Sequence, residues 1–263
     1  MLVFASICPH PPIIIPSVGG KELNKTRKTV GAMKKLAEYF CSAKPNTVII
    51  ISPHGPMQYD QMSITVSKEL RGDFSQFGDF KTTLSFKNNL EVVSAIKEAA
   101  LKNGIPIGSV DIPQLDHGSL VPLYYLTQDY HSAKVIPIAF SPLSLQTHFN
   151  FGQAIGEAIG KSDGKIAVVA SGDLSHRVTP DAPVGYSPRG KEFDEKLIDL
   201  LKKNDSEKIL NMDPSLIEEA GECGLRSIII LLGALSGLKY NFEILSYEAP
   251  FGVGYLVAKA NLS

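Results

Sequence analysis

The sequence lacks the features that identify several large classes of protein. None of the apolar runs in its 263 residues is long enough to cross a membrane, and a formal net charge of -1 argues against a surface built for nucleic acid. Its three cysteines, Cys8, Cys41 and Cys223, show no paired spacing, so free thiols and a cytoplasmic location are expected. Phosphate-binding loops, dinucleotide fingerprints and nucleophile elbows are also missing, which removes the usual motif evidence for nucleotide binding or serine hydrolysis.

The remaining composition is that of one globular α/β unit. Hydrophobic residues make up 44% of the chain and charged residues 20%, and no linker or charge block divides it. We therefore predict a single domain over residues 1–263. Alternating strand and helix patterns predict an α/β fold in which helices flank a largely parallel or mixed central sheet. The predicted strands are 2–8, 48–51, 63–66, 135–140, 166–171, 242–247 and 254–258, and the predicted helices are 21–41, 90–103, 144–160, 189–201, 206–210, a helix containing Pro122 and a buried helix ending at Ala234.

Three of the predicted strands each lead to a histidine just beyond their carboxyl ends. The run 48–51 is followed by Pro53, which ends the strand, and then by His54. The first strand leads in the same way to His10, and strand 166–171 leads to His176. The carboxyl edge of an open parallel sheet is where binding sites form, so the active site is predicted at these strand ends.

His10 and His54, at neighbouring strand ends, are predicted to share one metal ion, because neutral imidazole is the commonest metal ligand in proteins. Glu222 is the predicted third ligand, since it precedes a buried helix among glycines. Two histidines and one carboxylate are typical of non-haem Fe(II) oxygenases. Cys223 is the alternative ligand and favours a softer metal. Fe(II) is the predicted cofactor, with Zn and Mn as alternatives. His176, together with a histidine at 117, is a candidate acid–base group.

Other polar residues allow both a functional and a structural interpretation. Cys8 shares strand parity with His10 and either lines the site or is a buried structural thiol, and Asp173 is a further candidate for the site lining. Asp116 either orients a histidine or caps a helix. Two other histidines, at 131 and 148, are expected at the surface, and residues 71–86 are expected to form an aromatic-bearing loop over a pocket. Ile13–Pro16 is expected to be extended.

Four segments together resemble the class III extradiol ring-cleavage dioxygenases, the family of the catalytic B subunit of protocatechuate 4,5-dioxygenase. The resemblance covers nearly the whole chain, and the ending 249–255 is similar to a branch linked to AMMECR1-domain and radical SAM proteins, with Memo as a distant relative. The segments are Pro9-His10-Pro11-Pro12, Ser52-Pro53-His54-Gly55, Leu115-Asp116-His117-Gly118 and Gly172-Asp173-Leu174-Ser175-His176.

The resemblance implies a set of roles for these residues. His10, His54 and Glu222 match the Fe(II) ligands, His176 matches the acid–base catalyst, and His117 matches a histidine near the substrate. The implied reaction cleaves a catecholic or related aromatic ring with O2, in a protein that forms homo-oligomers. Memo-like members carry a cysteine about where Cys223 stands, which implies a different ligand set.

Two further functions compete with ring cleavage. The first is a Memo-like metal- or peptide-binding protein that works with an AMMECR1-domain or radical SAM partner. The second is a metal-dependent hydrolase that uses a bound water. Oxygen consumption with a catechol separates ring cleavage from both alternatives.

Overall fold

The structure is a computed structural model that describes residues 1–263. Its ten strands are β1 (Leu2–Cys8), β2 (Thr47–Ser52), β3 (Met62–Thr65), β4 (Glu69–Phe74), β5 (Asp79–Lys87), β6 (Ile107–Val110), β7 (Lys134–Ala139), β8 (Ile166–Ser171), β9 (Tyr240–Glu248) and β10 (Tyr255–Leu262). Its nine α-helices are α1 (Pro16–Gly19), α2 (Arg27–Ala43), α3 (Leu90–Lys102), α4 (His117–Leu126), α5 (Leu145–Gly160), α6 (Pro188–Lys202), α7 (Ser206–Leu210), α8 (Pro214–Ala220) and α9 (Leu225–Ala234).

Eight strands form the central sheet, in the order β6-β3-β7-β2-β8-β1-β10-β9. The four middle strands, β7, β2, β8 and β1, are parallel to one another. On one flank β3 and β6 run antiparallel to them, and on the other β10 runs antiparallel while β9, paired antiparallel with β10, runs parallel to them again. The predicted α/β fold with a largely parallel or mixed sheet is confirmed.

The sheet is covered on both faces, as the continuous apolar runs of its central strands require. In β2, Ile49 and Ile51 pack into a core with helices α3, α5, α6 and α9, while Val48 and Ile50 pack on the other side with α2, α4 and β4. All four side chains are fully buried. None of the helices has the length and apolar character needed to cross a bilayer.

The predictions for the segment between β1 and α2 were wrong. Ile13–Pro16 is not extended: a 3-10 turn at Pro12–Ile14 is followed by α1, which Pro16 starts. Proline is favourable there because the first helical residue needs no N–H partner. The segment 20–26 is also a 3-10 turn, so the predicted helix 21–41 begins only at Arg27.

Residues 71–86 are a β-hairpin rather than an irregular loop. Strands β4 and β5 pair antiparallel around a turn at Ser75–Phe77. Leu70 and Phe74, on the buried face of β4, pack into the core that contains α4. The side-chain hydroxyl of Ser17, on α1, donates a short hydrogen bond to Asp79 and ties the hairpin to the segment after β1.

The two remaining histidines have different positions. His131 is exposed, as predicted, whereas His148 is fully buried on α5 and the prediction of a surface position was wrong. Its two ring nitrogens lie 2.7 Å from the Ser144 carbonyl oxygen and 3.0 Å from the Ser141 carbonyl oxygen. Burial lowers the pKa of His148 to about 4, so the neutral ring has one N–H, donates it to one of these two carbonyls and links α5 to the loop after β7.

Candidate metal centre

Three histidine-bearing segments meet at the carboxyl-terminal edge of the sheet. His10 follows β1, His54 follows β2 and His176 follows β8. The expectation that β1 and β2 are neighbours is wrong, because β8 lies between them. Two strand spacings, about 10 Å, therefore separate these strands. The rings of His10 and His54 nevertheless approach to 4.8 Å between centroids, so the two side chains lean toward each other across the end of β8.

The atoms able to bind a metal converge on one point. The Nε2 atoms of His10 and His54 are 3.1 Å apart, and the Sγ of Cys223 lies 3.6 Å from Nε2 of His10. All three ligand atoms lie within 4.8 Å of one another. The group combines two imidazoles and one thiol, and His10 and Cys223 are 213 positions apart in the chain.

The tautomer of His10 follows from its surroundings. The Ser171 hydroxyl donates to the carbonyl of Gly118, so it accepts a hydrogen bond from Nδ1 of His10 at 3.0 Å. The lone pair of His10 is therefore on Nε2, the atom that faces the other ligands. Burial, followed by three neighbouring imidazoles, lowers the pKa of His10 well below its usual value. His10 is thus neutral and ready to bind a cation.

Asp116 supports His54 through a serine. The backbone N–H of His54 donates to the Ser52 hydroxyl at 3.2 Å, and this hydroxyl donates to Asp116. Asp116 also caps α4 by accepting from the N–H of Ser119 at 3.0 Å, so it has both of the roles considered from the sequence. His117 is the first residue of α4, and its ring stacks on His54 with 4.2 Å between centroids.

Cys223 reaches the histidines because two backbones touch. A Cβ on Gly172, just after β8, would lie 2.1 Å from the Cα of Gly224, just before α9. Only glycines permit this approach. It brings the N–H of Cys223 to 3.4 Å from the carbonyl oxygen of Asp173. Burial raises the pKa of the Cys223 thiol well above its usual value, so metal binding must displace its proton.

Glu222 is oriented differently from its neighbour Cys223. Its Oε2 accepts a hydrogen bond of 2.6 Å from the N–H of Leu225 at the start of α9. It also lines a separate cavity of about 570 Å³ together with Arg226. Burial raises the pKa of Glu222 to about 6. The structure does not bring Glu222 into the group formed by the two histidines and Cys223, and its role as third ligand stays a prediction.

His176 and Asp173 border the same centre. The Nδ1 of His176 is buried without a hydrogen-bond partner, and burial lowers the pKa of this imidazole. The carboxylate of Asp173 accepts a 2.9 Å hydrogen bond from the backbone N–H of His10, and burial raises its pKa to about 7. His176 is thus a neutral imidazole, while Asp173 holds the backbone of His10.

Cys8 is placed in the sheet interior. Its side chain is fully buried and its Sγ lies 3.6 Å from the hydroxyl of Ser6. Burial raises the pKa of Cys8 to about 12, which keeps the thiol protonated. These observations favour the structural interpretation of this cysteine.

The sequence reasoning missed three residues around the histidines. Ser52 and Ser171, which hold His54 and His10, each occupy the last position of their strands. A hydroxyl immediately before a Pro-His or Gly-Asp segment is a signal that could have identified them. Phe77, at the tip of the hairpin, packs edge-on against His117 with 5.5 Å between centroids. Its position depends on a long-range contact that the local sequence does not encode.

Comparison with known proteins assigns the chain to a family. Residues 4–258 match the family described as the catalytic LigB subunit of aromatic ring-opening dioxygenase. The chain belongs to the LigB family.

The LigB relatives include proteins named as dioxygenases. The chain is 38% identical over 262 residues to Protein CA_C1420 of Clostridium acetobutylicum, covering 96% of this chain and 56% of that protein. It is 32% identical over 179 residues to 3,4-dihydroxyphenylacetate 2,3-dioxygenase of Escherichia coli, covering 64% of this chain and 65% of that protein. It is 24% identical over 293 residues to the 2-aminophenol 1,6-dioxygenase beta subunit of a Pseudomonas species, covering 99% and 94% of the two chains. The chain thus spans less than two thirds of the first two relatives.

A solved structure shares the fold of this LigB chain. It is the crystal structure of uncharacterized protein JW3007 from Escherichia coli K12, with a TM-score of 0.68 and 15% sequence identity. The match covers 98% of this chain and 99% of the other. At this identity the likeness concerns the architecture alone.

The residues present suit the metal that LigB dioxygenases require. His10 offers a preset Nε2 lone pair, and His54 places its own Nε2 beside it. Cys223 supplies a donor that becomes anionic when a metal displaces its proton. Two imidazoles with a thiolate suit Fe(II) and Zn(II) better than the oxygen-preferring Mg(II) or Ca(II). Neither a lysine nor an arginine forms an ion pair with His10, His54 or Cys223.

Proposed function

We propose that this chain is a non-haem Fe(II)-dependent extradiol dioxygenase that opens a catecholic or related aromatic ring with O2. The match to the LigB family over residues 4–258 carries this proposal, and the approach of His10 and His54 at the sheet edge supports it. Fe(II) bound there would supply the Lewis acidity and one-electron chemistry that joining an aromatic diol to O2 requires.

The protein's own part in the reaction is to hold the ligands and move protons. Burial keeps the imidazoles of His10 and His54 neutral, and Ser171 and Ser52 hold the two segments in place. His176 lies beside His10 and His54, and burial lowers the pKa of its imidazole, so it is the neutral base that takes a proton from a substrate hydroxyl. It returns this proton as the product forms.

His117 forms part of the wall of the substrate site. Its ring lies between His54 and Phe77, at 4.2 Å and 5.5 Å between centroids. Burial lowers its pKa, so it contributes a neutral, flat surface. An aromatic substrate is favoured beside such a surface, because rings attract one another in stacked and edge-on arrangements.

The test is anaerobic loading with Fe(II), followed by air and a panel of 3,4-dihydroxyphenylacetate, protocatechuate and 2-aminophenol. We expect oxygen uptake together with a yellow ring-opened product. His176→Gln should keep the metal and lose at least about 100-fold in kcat, the usual size of one acid–base group. An iron-loaded protein that binds these compounds and consumes no oxygen would refute the proposal.

A second function is favoured by one observation. The thiol of Cys223, not the carboxylate of Glu222, stands with the two histidines. This arrangement supports a Memo-like metal- or peptide-binding protein that works with an AMMECR1-domain or radical SAM partner. It predicts tight Zn(II) binding, no oxygen uptake, and co-purification with a tagged AMMECR1-domain protein from the same cell.

We also propose that residues 1–263 work as one catalytic domain, in the cytoplasm and as a homo-oligomer. The continuous eight-stranded sheet, built from strands at both ends of the chain, supports the single domain. Light scattering on the purified protein measures the oligomeric state, and a monomer would refute that part.

A further inference from the structure

Strand pairing places Tyr255 next to the metal centre. β10 runs antiparallel to β1, with Ile7 opposite Ala258 and Ala5 opposite Ala260. Continuing this register past the end of β1 brings residue 255 opposite residue 10. Val257 and Cys8 point into the same core, so by strand alternation Tyr255 lies on the face that carries His10.

A second set of contacts leads to the same position. The N–H of Leu174 donates to the carbonyl of Gly254 at 2.8 Å, and the N–H of Gly254 donates to the carbonyl of Ser175 at 2.8 Å. These bonds hold Tyr255 alongside Asp173. Asp173 accepts the 2.9 Å hydrogen bond from the N–H of His10. Only Asp173 therefore separates Tyr255 from His10.

The hydroxyl of Tyr255 has no partner in the protein. The side chain is 3% exposed. The other fully buried tyrosine, Tyr125, donates its hydroxyl to the carbonyl of Ile14, and the half-buried Tyr247 donates to the carboxylate of Asp194. The Tyr255 hydroxyl makes no such bond, and it is not among the polar atoms sealed in the interior without a partner, so part of its surface is accessible. The strand register places this side chain on the face that carries His10, where a molecule bound at the metal centre can accept from it.

The phenol is a hydrogen-bond donor at every physiological pH. Burial, followed by the carboxylates of Asp173 and Glu248, raises the pKa of Tyr255 above its usual value. A neutral donor beside a metal suits an anionic oxygen, since hydrogen bonds to ionised acceptors are stronger than those between neutral groups. An aromatic diol presents such an oxygen once one of its hydroxyls ionises.

We propose that Tyr255 is a substrate-binding residue of this centre, donating its hydroxyl proton in a hydrogen bond to the ionised oxygen of the aromatic diol. This role rests on the proposed ring-cleavage function. It predicts that the loss of one hydroxyl weakens binding of a catechol without affecting the fold or the metal.

The experiment compares Tyr255→Phe with the wild type and with Tyr240→Phe as matched control. Tyr240 lies at the start of β9, at the far end of the sheet from the site, and pairs with Leu262. Each Fe(II)-loaded protein is titrated anaerobically with 4-nitrocatechol, whose visible spectrum changes with ionisation. Metal content and thermal unfolding are measured in parallel.

We expect the dissociation constant of 4-nitrocatechol to rise about tenfold or more in Tyr255→Phe and to stay unchanged in Tyr240→Phe. Metal content and Tm should match the wild type, because the hydroxyl bonds to nothing in the protein. Equal binding by wild type and Tyr255→Phe would overturn this role alone. A lower Tm with unchanged binding would assign the hydroxyl to the fold and overturn it too. A wild type that binds no catechol would overturn the proposed function and this role with it.

Discussion

The choice between Cys223 and Glu222 as third ligand yields the sharpest prediction. Removing residues that merely orient a metal ligand costs 10- to 100-fold in affinity, so loss of a direct ligand should exceed about 100-fold. We therefore expect Cys223→Ala to weaken metal binding by more than about 100-fold. Glu222→Gln should leave the affinity within a few-fold, because its carboxylate contacts the Leu225 N–H at 2.6 Å instead.

The stability consequence can be worked out from binding linkage. At a free metal concentration of 100 times the wild-type Kd, binding stabilises the fold by about 2.7 kcal/mol. A variant with a 100-fold weaker Kd retains only about 0.4 kcal/mol at the same concentration. Glu222→Gln should keep the full metal-dependent gain, because its amide oxygen can still accept from the N–H of Leu225.

The assay is thermal or urea unfolding of the three proteins, with and without Zn(II), together with a chelator competition that measures Kd directly. Zn(II) avoids the oxidation that Fe(II) brings. The opposite pattern, in which Glu222→Gln loses the metal-dependent gain and Cys223→Ala retains it, would refute the reasoning. It would also restore the two-histidine, one-carboxylate site predicted from the sequence.

Three further changes test the surroundings of the centre. Ser171→Ala removes the acceptor for His10 Nδ1 and should weaken metal binding about 10- to 100-fold, measured by chelator competition. Asp194, fully buried, has a pKa raised to about 7 by burial and keeps a proton that the unfolded chain loses above about pH 4. The free energy of unfolding of the wild type should therefore fall relative to Asp194→Asn, by up to about 4 kcal/mol, between pH 4 and 7 in urea titrations. Gly172→Ala drives a methyl to 2.1 Å from Gly224 and should cost about 3 kcal/mol together with metal binding, seen in the same unfolding assay; a stable, metal-binding variant would refute the backbone contact.

Much of the fold could be predicted from short stretches of sequence. The central strands are continuous apolar runs ended by proline or glycine, so both their positions and the histidines that follow them were found locally. The order of the strands could not be found in this way. Nothing in the segments around His10 and His54 indicates that β8 passes between them, because parallel pairing is decided by contacts far apart in the chain.

At the candidate site too, local sequence identified some residues, while the positions of others depend on the folded backbone. The pattern of strand ends identified the histidines, but Glu222 and Cys223 are adjacent, and which of them faces the histidines depends on the backbone of the turn. Gly221 is in the left-handed region at φ 59°, which sets the direction of the following residues. The sequence shows that a turn is there without showing which side chain it turns inward. The hairpin at 69–87 was missed because Phe74 and Phe86 pack into a core that contains α4, which comes from elsewhere in the chain.

The backbone contact between Gly172 and Gly224 has a consequence for how the protein acquires its metal. The three candidate ligands come from distant parts of the chain, and the thiol of Cys223 meets His10 only after α9 docks against β8. Such long-range closures are late and slow steps in folding. A partly synthesised or partly folded chain therefore offers at most two histidines and holds a metal weakly. Tight metal capture should coincide with completion of the fold, so the rate of metal uptake in a refolding experiment can serve as a clock for its final step.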